Sequence, residues 1–455
     1  MSKIEHMQFI KTLHPQISKK GKIIVLSGMS GSGKTFIANL LTKKFNCVNI
    51  PKYVTRPFRK EEIRAKMNGE APGIRAVFGE FNDGEKTDIE QENLSLQRKK
   101  AFLNKKCPLA YINYGEYYGF STDEINNYIE NGKTVVIIIN NIDLIKDLKN
   151  IYGNECISCY IHKELPNVSY FVELSKQRDL NSESTKKRYD KSKKDYIEFI
   201  NNKDIFDYTI LNMEDGIATL ELQLHKILQT PLKKKKTTNM YVPKVFVFSG
   251  SPGSGKDDAL EIISVIGPLH SVIMPKMTTR KRRPEDGTEL ICSNDEKYNL
   301  DSCDLQYQNY GNTYGIDTSI LKRGLEEGIS FSISISDMPT IKLLQKKFPN
   351  SVVPIYIQGQ KFEDFAKANQ DDQTEYMQRH LSGYHTSYQS YCEHITDYAK
   401  VVINDGDITD LSKQITGIIS SYETSRDLSG NLYREYLQKA QKYVNYAQTH
   451  SLELN

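Results

Sequence analysis

The chain states one ordered pattern twice, and this constrains its fold more than any other feature. Residues 23–35 read IIVLSGMSGSGKT and residues 245–257 read VFVFSGSPGSGKD. PKYVTRPFR (Pro51 to Arg59) is matched by PKMTTRKRR (Pro275 to Arg283), and NYGEYYG (Asn113 to Gly119) by NYGNTYG (Asn309 to Gly315). NGKTVVIIIN (Asn131 to Asn140) is matched in turn by EGISFSISIS (Glu327 to Ser336). A repeat this long is a tandem pair of domains, not a solenoid of short repeats. The stretch between the copies, TPLKKKKTTNMYVP (Thr230 to Pro243), has two prolines, four consecutive lysines and no apolar periodicity, and reads as an exposed linker. The organisation expected is a first domain over 1–230 with an insertion at about 60–106, a basic linker over 231–243, a second domain over 244–420, and a C-terminal helical extension over 421–455.

Each half alternates short apolar runs with polar helical stretches. Ile23–Ser27, Cys47–Ile50, Thr134–Asn140, Ile157–Ile161 and Tyr208–Leu211 are expected strands of the first half. Val245–Ser249, Ser271–Pro275, Ser330–Ser336, Val352–Ile357 and Lys400–Asn404 are those of the second. Unbroken β-branched runs between helices call for strands covered on both faces, so the expected class is α/β: two tandem domains, each a mainly parallel sheet flanked by helices. The insertion, rich in charge and glycine, is expected to be a lid or mobile loop. At the C-terminus, Tyr433, Tyr436, Leu437, Ala440, Tyr443, Val444 and Ala447 share one helical face, expected to dock on its own domain.

Composition removes several classes. Lys plus Arg is 61 against 57 for Asp plus Glu, so bulk charge gives no argument for nucleic acid. No apolar run approaches the ~20 residues of a membrane helix, so no membrane partner is expected. MSKIEHMQFIKTLHPQ lacks an apolar h-region, and the seven cysteines read as free thiols of a cytoplasmic protein. Cys156 and Cys159 form a lone CxxC with no second pair at zinc spacing, and read as buried thiols. A homo-oligomer stays open.

GMSGSGKT (Gly28 to Thr35) follows a strand and opens a helix, the context of a P-loop. Glycines at Gly28, Gly31 and Gly33, with Ser30 and Ser32 between, let successive backbone N–H groups curl around a phosphate. The helix N-terminus adds partial positive charge. Lys34 reaches the β and γ oxygens, and the Thr35 hydroxyl completes the shell of Mg²⁺. ATP and Mg²⁺ are therefore the expected cofactors. The second copy runs Gly250 to Asp257, with Gly253, Ser254, Gly255 and Lys256 at the matching places. Its departure is Asp257, where Ser or Thr is expected. A carboxylate beside a polyphosphate is repulsive unless a metal lies between, so either Asp257 binds the metal directly or this site binds nucleotide poorly.

The order of P-loop, TRxxR, YG motif, arginine-bearing lid and a strand ending in Asn resembles guanylate kinase across most of both halves. The resemblance implies that the TRxxR pairs, Arg56 with Arg59 and Arg280 with Arg283, grip the phosphate of an acceptor, joined by Tyr118 and Tyr314. Their i, i+3 spacing lets two guanidinium forks hold one phosphate. It implies lid arginines at Arg178 and Arg188, with Arg379 alone in the second copy, closing over the transferred phosphoryl group. It places Asn212 and Asn404 where the strand leads to the adenine pocket. The carboxylate that reads guanine falls, by spacing, at Leu109 and Leu305, and the acidic strand end becomes Ile137–Asn140 and Ile333–Ser336. A site without those carboxylates loses discrimination for guanine. VTRP (Val54 to Pro57) and YGIDTSILKRGLEEG (Tyr314 to Gly328) are also similar to ribose bisphosphate phosphokinases. The function expected is an ATP-dependent phosphotransferase of the nucleoside-monophosphate-kinase type, acting on a phosphorylated small-molecule acceptor, a nucleotide or a sugar. A nucleotide-binding interaction protein and an NTPase switch are the alternatives.

Overall fold

IIVLSG forms β1 (Ile23–Gly28), buried at all six positions. A strand covered on both faces needs partners on both edges, and β1 has them. It is the middle strand of a five-stranded parallel sheet. The computed structural model describes residues 21–56, 74–76, 88–104, 107–113, 116–163, 182–213, 216–231, 241–266, 271–284, 286–359, 375–423 and 431–449. The chain divides into two compact units, Met1–Lys235 and Lys236–Asn455.

In the first unit β1 is followed by α1 (Lys34–Phe45), β2 (Val48–Asn49), β3 (Lys52–Val54), β4 (Ile74–Ala76), α2 (Asp88–Asn104), β5 (Leu109–Asn113) and β6 (Glu116–Phe120). Then come α3 (Thr122–Glu130), β7 (Val135–Ile138), α4 (Ile142–Tyr152), β8 (Cys156–His162), α5 (Ser182–Asn201), β9 (Tyr208–Leu211) and α6 (Ile217–Gln229). The parallel sheet has the order β2-β7-β1-β8-β9, and a second, mixed sheet has the order β4-β3-β6-β5. Helix starts follow local chemistry. Ser121 accepts the Glu124 N–H at 3.3 Å, and Asn141 accepts the Leu144 N–H at 2.8 Å.

The second unit repeats this plan. It runs β10 (Val245–Ser249), α7 (Lys256–Ile266), β11 (Val272–Ile273), β12 (Lys276–Thr278), β13 (Leu290–Cys292), β14 (Leu305–Asn309), β15 (Asn312–Ile316) and α8 (Thr318–Glu326). It continues with β16 (Phe331–Ser334), α9 (Met338–Lys347), β17 (Val352–Gln358), α10 (Glu375–His394), β18 (Lys400–Ile403), α11 (Ile408–Glu423) and α12 (Asn431–Thr449). Its sheets have the orders β11-β16-β10-β17-β18 and β13-β12-β15-β14. Register is preserved too. Ile23 pairs with Val135 and Cys156, and Val245 with Phe331 and Val352. The fold class is therefore α/β with two parallel five-stranded sheets flanked by helices.

All ten strands anticipated from apolar runs are present, with ends that differ by at most two residues. The two mixed sheets were not anticipated. Within the insertion the described residues form β4 and the helix α2, which packs on β6 with Phe102 buried and its ring 5.7 Å from that of Tyr117. Cys156 and Cys159 are both buried on β8, where residues three apart point to opposite faces and cannot converge on one ion. In the second unit α12 lies along the edge strand β11 and buries Tyr436, Ala440, Tyr443, Tyr446 and Ala447. Tyr443 meets Phe331 edge to face at 5.3 Å. Among the described residues no helix is long and apolar enough to cross a membrane.

Candidate functional site

In a parallel sheet all strands deliver their C-terminal ends to one edge, and loops there converge. The cradle Gly28–Thr35 leaves the end of β1. Asn140 follows β7, His162 ends β8 and Asn212 follows β9, so four strands feed one site.

Gly33 sits at φ 94°, and a β-carbon there would lie 2.5 Å from Asn212 Nδ2. Only glycine accepts both that dihedral and that neighbour. Asn212 Nδ2 donates to the Ser32 carbonyl at 2.8 Å, and in the second unit Asn404 donates to the Ser254 carbonyl at 3.0 Å, with Gly255 at φ 95°. Both asparagines thus hold the glycine-rich loop itself. The Ser32 and Ser254 Oγ atoms are buried without a hydrogen-bond partner.

Lys34 Nζ folds back onto the Gly28 and Met29 carbonyls at 2.6 and 2.5 Å. Lys256 repeats this on the Gly250 and Ser251 carbonyls at 3.0 and 2.5 Å. Desolvation pushes both ammonium groups down to about 8. An anion in the cradle would offset that desolvation and give each lysine a better acceptor than a carbonyl. Thr35 and Asp257 occupy the first turns of α1 and α7 and are both exposed. Glycine-rich backbone, retracted lysine and the hydroxyl of Thr35 fit a nucleotide polyphosphate with Mg²⁺ in the first unit.

One residue absent from the sequence expectations stands beside Lys34. Asp195 on α5 lies in its field and accepts from Asn140 Nδ2 at 3.0 Å. Burial raises the Asp195 pKa against the pull of Lys191, Lys34 and that hydrogen bond. No local signal marks Asp195, which reaches the site only through packing of α5. The second unit differs at the same place. Tyr160 stacks on Phe199 and meets Phe206 edge to face, and Tyr356 meets Tyr391 and Tyr398 at the same sheet position. Counting back along the helix from Phe199 and Tyr391 gives Ser387 as the counterpart of Asp195 and Gly383 as the counterpart of Lys191. Ser387 Oγ lies 3.3 Å from the Tyr356 hydroxyl. A β-carbon on Gly383 would meet Pro252 Cδ at 2.7 Å, so α10 closes directly on the second cradle.

The mixed sheets carry the TRxxR arginines. The threonine before each arginine ties that loop to the adjacent strand: Thr55 Oγ1 accepts the Tyr117 N–H at 2.9 Å, and Thr279 Oγ1 accepts the Thr313 N–H at 3.0 Å. Tyr118 stacks on Tyr111 at 5.2 Å and Tyr314 on Tyr307 at 5.5 Å, the two hairpins matching. Arg56 lies in the field of Tyr111. Arg280 makes a bidentate pair with Asp286, one arm at 2.6 Å, and also bonds Tyr314. Arg283 is exposed, and its backbone N–H donates to Asp286 at 2.7 Å. The neighbouring Arg282, not singled out from sequence, pairs with Asp295 at 2.7 Å. Leu109 and Leu305 are buried on β5 and β14. Arg59 and Arg178 lie outside the described residues. Arg188 and Arg379 fall on α5 and α10, and their side chains lie outside the description.

No protein-family model matches the chain. Over 213 residues, 47% of this chain, it is 28% identical to the guanylate kinase of Rickettsia typhi (strain ATCC VR-144 / Wilmington), covering 93% of that protein. Identity and coverage are the same for the guanylate kinase of Rickettsia prowazekii (strain Madrid E). The crystal structure of guanylate kinase from Anaplasma phagocytophilum aligns over 44% of this chain and 95% of its own, at 21% identity and a TM-score of 0.31. About half of the chain is thus distantly similar to guanylate kinases.

Proposed function

We propose that the first unit transfers the γ-phosphoryl group of ATP to a phosphorylated small molecule, a nucleoside monophosphate or a sugar phosphate. The observation that carries this reading is the withdrawn Lys34, folded onto its own loop beside the Asp195–Asn140 pair. In this reading the loop amides and Lys34 hold the β and γ phosphates, and Asn212 keeps the loop in shape. Arg56 and Tyr118, with Arg59, hold the acceptor phosphate, and Arg178 and Arg188 meet the charge that develops on the transferred group. Mg²⁺ at Thr35 would neutralise charge on the bridging oxygens. Catalysis is then positioning and electrostatics, without a covalent intermediate. Leucine at Leu109, where the resemblance calls for a carboxylate, disfavours guanosine monophosphate as the acceptor.

The second unit supports a non-catalytic reading. It has Asp257 for Thr35 and Ser387 for Asp195, and Gly383 packs onto the cradle. ADP formation from MgATP across nucleoside monophosphates and sugar phosphates tests the proposal. Turnover that no acceptor stimulates would replace it with an NTPase switch.

A further inference from the structure

Helices α7 and α11 pack side by side in the second unit, and their inner faces share one core in which Ile263 and Ile415 are fully buried. Beside that contact they leave a groove of about 770 Å³. Ile262, Val265 and Ile266 of α7 and Ile408 of α11 give it an apolar lining. Val265 is 80% exposed and Ile408 57%. Single exposed apolar side chains are ordinary, but these four lie together along one concavity, the mark of an interaction surface.

In the first unit the same two helices are bridged. Gln223 bonds both backbone groups of Leu211, and Gln414 does the same to Ile403, which matches α6 to α11. Lys34 and Lys256 open α1 and α7. In that match Lys43, Lys44, Glu221 and Lys226 correspond to Val265, Ile266, Ser412 and Gly417. Lys44 reaches from α1 to pair with Glu221 on α6, and the rings of Phe45 and His225 stand 6.3 Å apart. The second unit has no such ion pair, because Ile266 and Ser412 line the groove instead. Among the described residues, nothing outside its own helix lies within 4 Å of a β-carbon built on Gly417, so backbone is open to the groove there.

One rim is acidic. Asp258 and Glu261, three residues apart on α7, both line the groove, and among the described residues no cation forms an ion pair with either. Lys413 on the opposite wall is taken by Asp410 at 3.2 Å. A second copy docked groove to groove would add the same uncompensated carboxylates, so a basic partner is the better complement. Asp258 to Ile266 and Ile408 to Gly417 each cover about 12–14 Å of helix at 1.5 Å per residue, room for just over two turns of a docked helix.

We propose that this groove docks an amphipathic helix of a partner protein, apolar at i, i+4 and i+7 and flanked by lysine or arginine. Its apolar face covers Val265, Ile266 and Ile408, its basic flank meets Asp258 and Glu261, and Gly417 admits its backbone closely. The inference requires neither phosphoryl transfer by the first unit nor nucleotide in the second.

The test uses two synthetic helical peptides that share leucines at i, i+4 and i+7 and carry either lysine or glutamate elsewhere. Fluorescence anisotropy against the full chain at low salt should show the lysine peptide binding about tenfold or more tighter. The pair Ile266→Lys and Ser412→Glu copies the bridge of the first unit, and should weaken the lysine peptide about tenfold or more. Asp258→Asn with Glu261→Gln should erase the preference between the peptides. Thermal melts of each variant check that the second unit stays folded. Equal binding of the two peptides to the parent, no binding of either, or a folded bridged variant that binds like its parent would each overturn the proposal. So would sedimentation that shows a dimer of the parent chain and a monomer of the bridged variant, since a second copy then fills the groove.

Discussion

Removing the Asn212 amide tests whether the first cradle is held in shape from β9. Asn212→Ala leaves the Ser32 carbonyl without its 2.8 Å donor. An unpaired polar group withdrawn from water costs about 1–3 kcal/mol, so MgATP affinity should fall by about tenfold or more. Gly33→Ala attacks the same contact from the other side. At φ 94° an alanine costs roughly 1–2 kcal/mol from its backbone alone, and its β-carbon also meets Asn212 Nδ2. In the double variant the collision disappears while the backbone cost and the lost hydrogen bond remain. The two changes should therefore be less than additive, with a coupling of about 1 kcal/mol. Calorimetric titration with MgATP in a Lys256→Ala background measures all four corners of the cycle. Strict additivity, or an Asn212→Ala variant that binds MgATP like its parent, would refute the reasoning.

His162 is buried and neutral, its pKa pushed down to about 3 by desolvation and then by Lys203. The unfolded chain binds one more proton there between about pH 3 and the ordinary value of 6.5, so the first unit should lose stability as pH falls through that window. His162→Gln, which copies Gln358 of the second unit, should flatten denaturant midpoints measured from pH 7 to pH 4. Asp286→Asn breaks the bidentate pair with Arg280, and should cost the second unit about 1–3 kcal/mol in chemical denaturation while the first unit's transition stays in place. Tyr443→Ala removes a ring 1% exposed against Phe331, and should cost about 3–5 kcal/mol and open α12 to proteolysis.

The parallel sheets were legible because their strands are unbroken apolar runs, as in VVII of β7 and VFVFS of β10. The mixed sheets were not, because strands such as β3 and β12 are three residues long and start with a lysine. One signal was available. Asn113 pairs with Glu116 and Asn309 with Asn312, and counting outward from each pairs Tyr111 with Tyr118 and Tyr307 with Tyr314. The two glycine-rich loops were legible as strand-to-helix turns, since their conformation is set locally by glycines such as Gly33 and Gly255. Asp195 was not, because it comes into the field of Lys34 from α5, distant in sequence. The hydrogen bonds of Asn212 and Asn404 to the loop carbonyls were not legible, because they join residues 180 and 150 positions apart.

Transfer of labelled γ-phosphate from MgATP to a panel of phosphorylated acceptors, run with the parent chain, Lys34→Ala and Lys256→Ala, tests the central claim most directly. The account predicts label on an acceptor other than guanosine monophosphate, lost in Lys34→Ala and retained in Lys256→Ala. Label that reaches no acceptor, or transfer that survives Lys34→Ala and vanishes in Lys256→Ala, would contradict it.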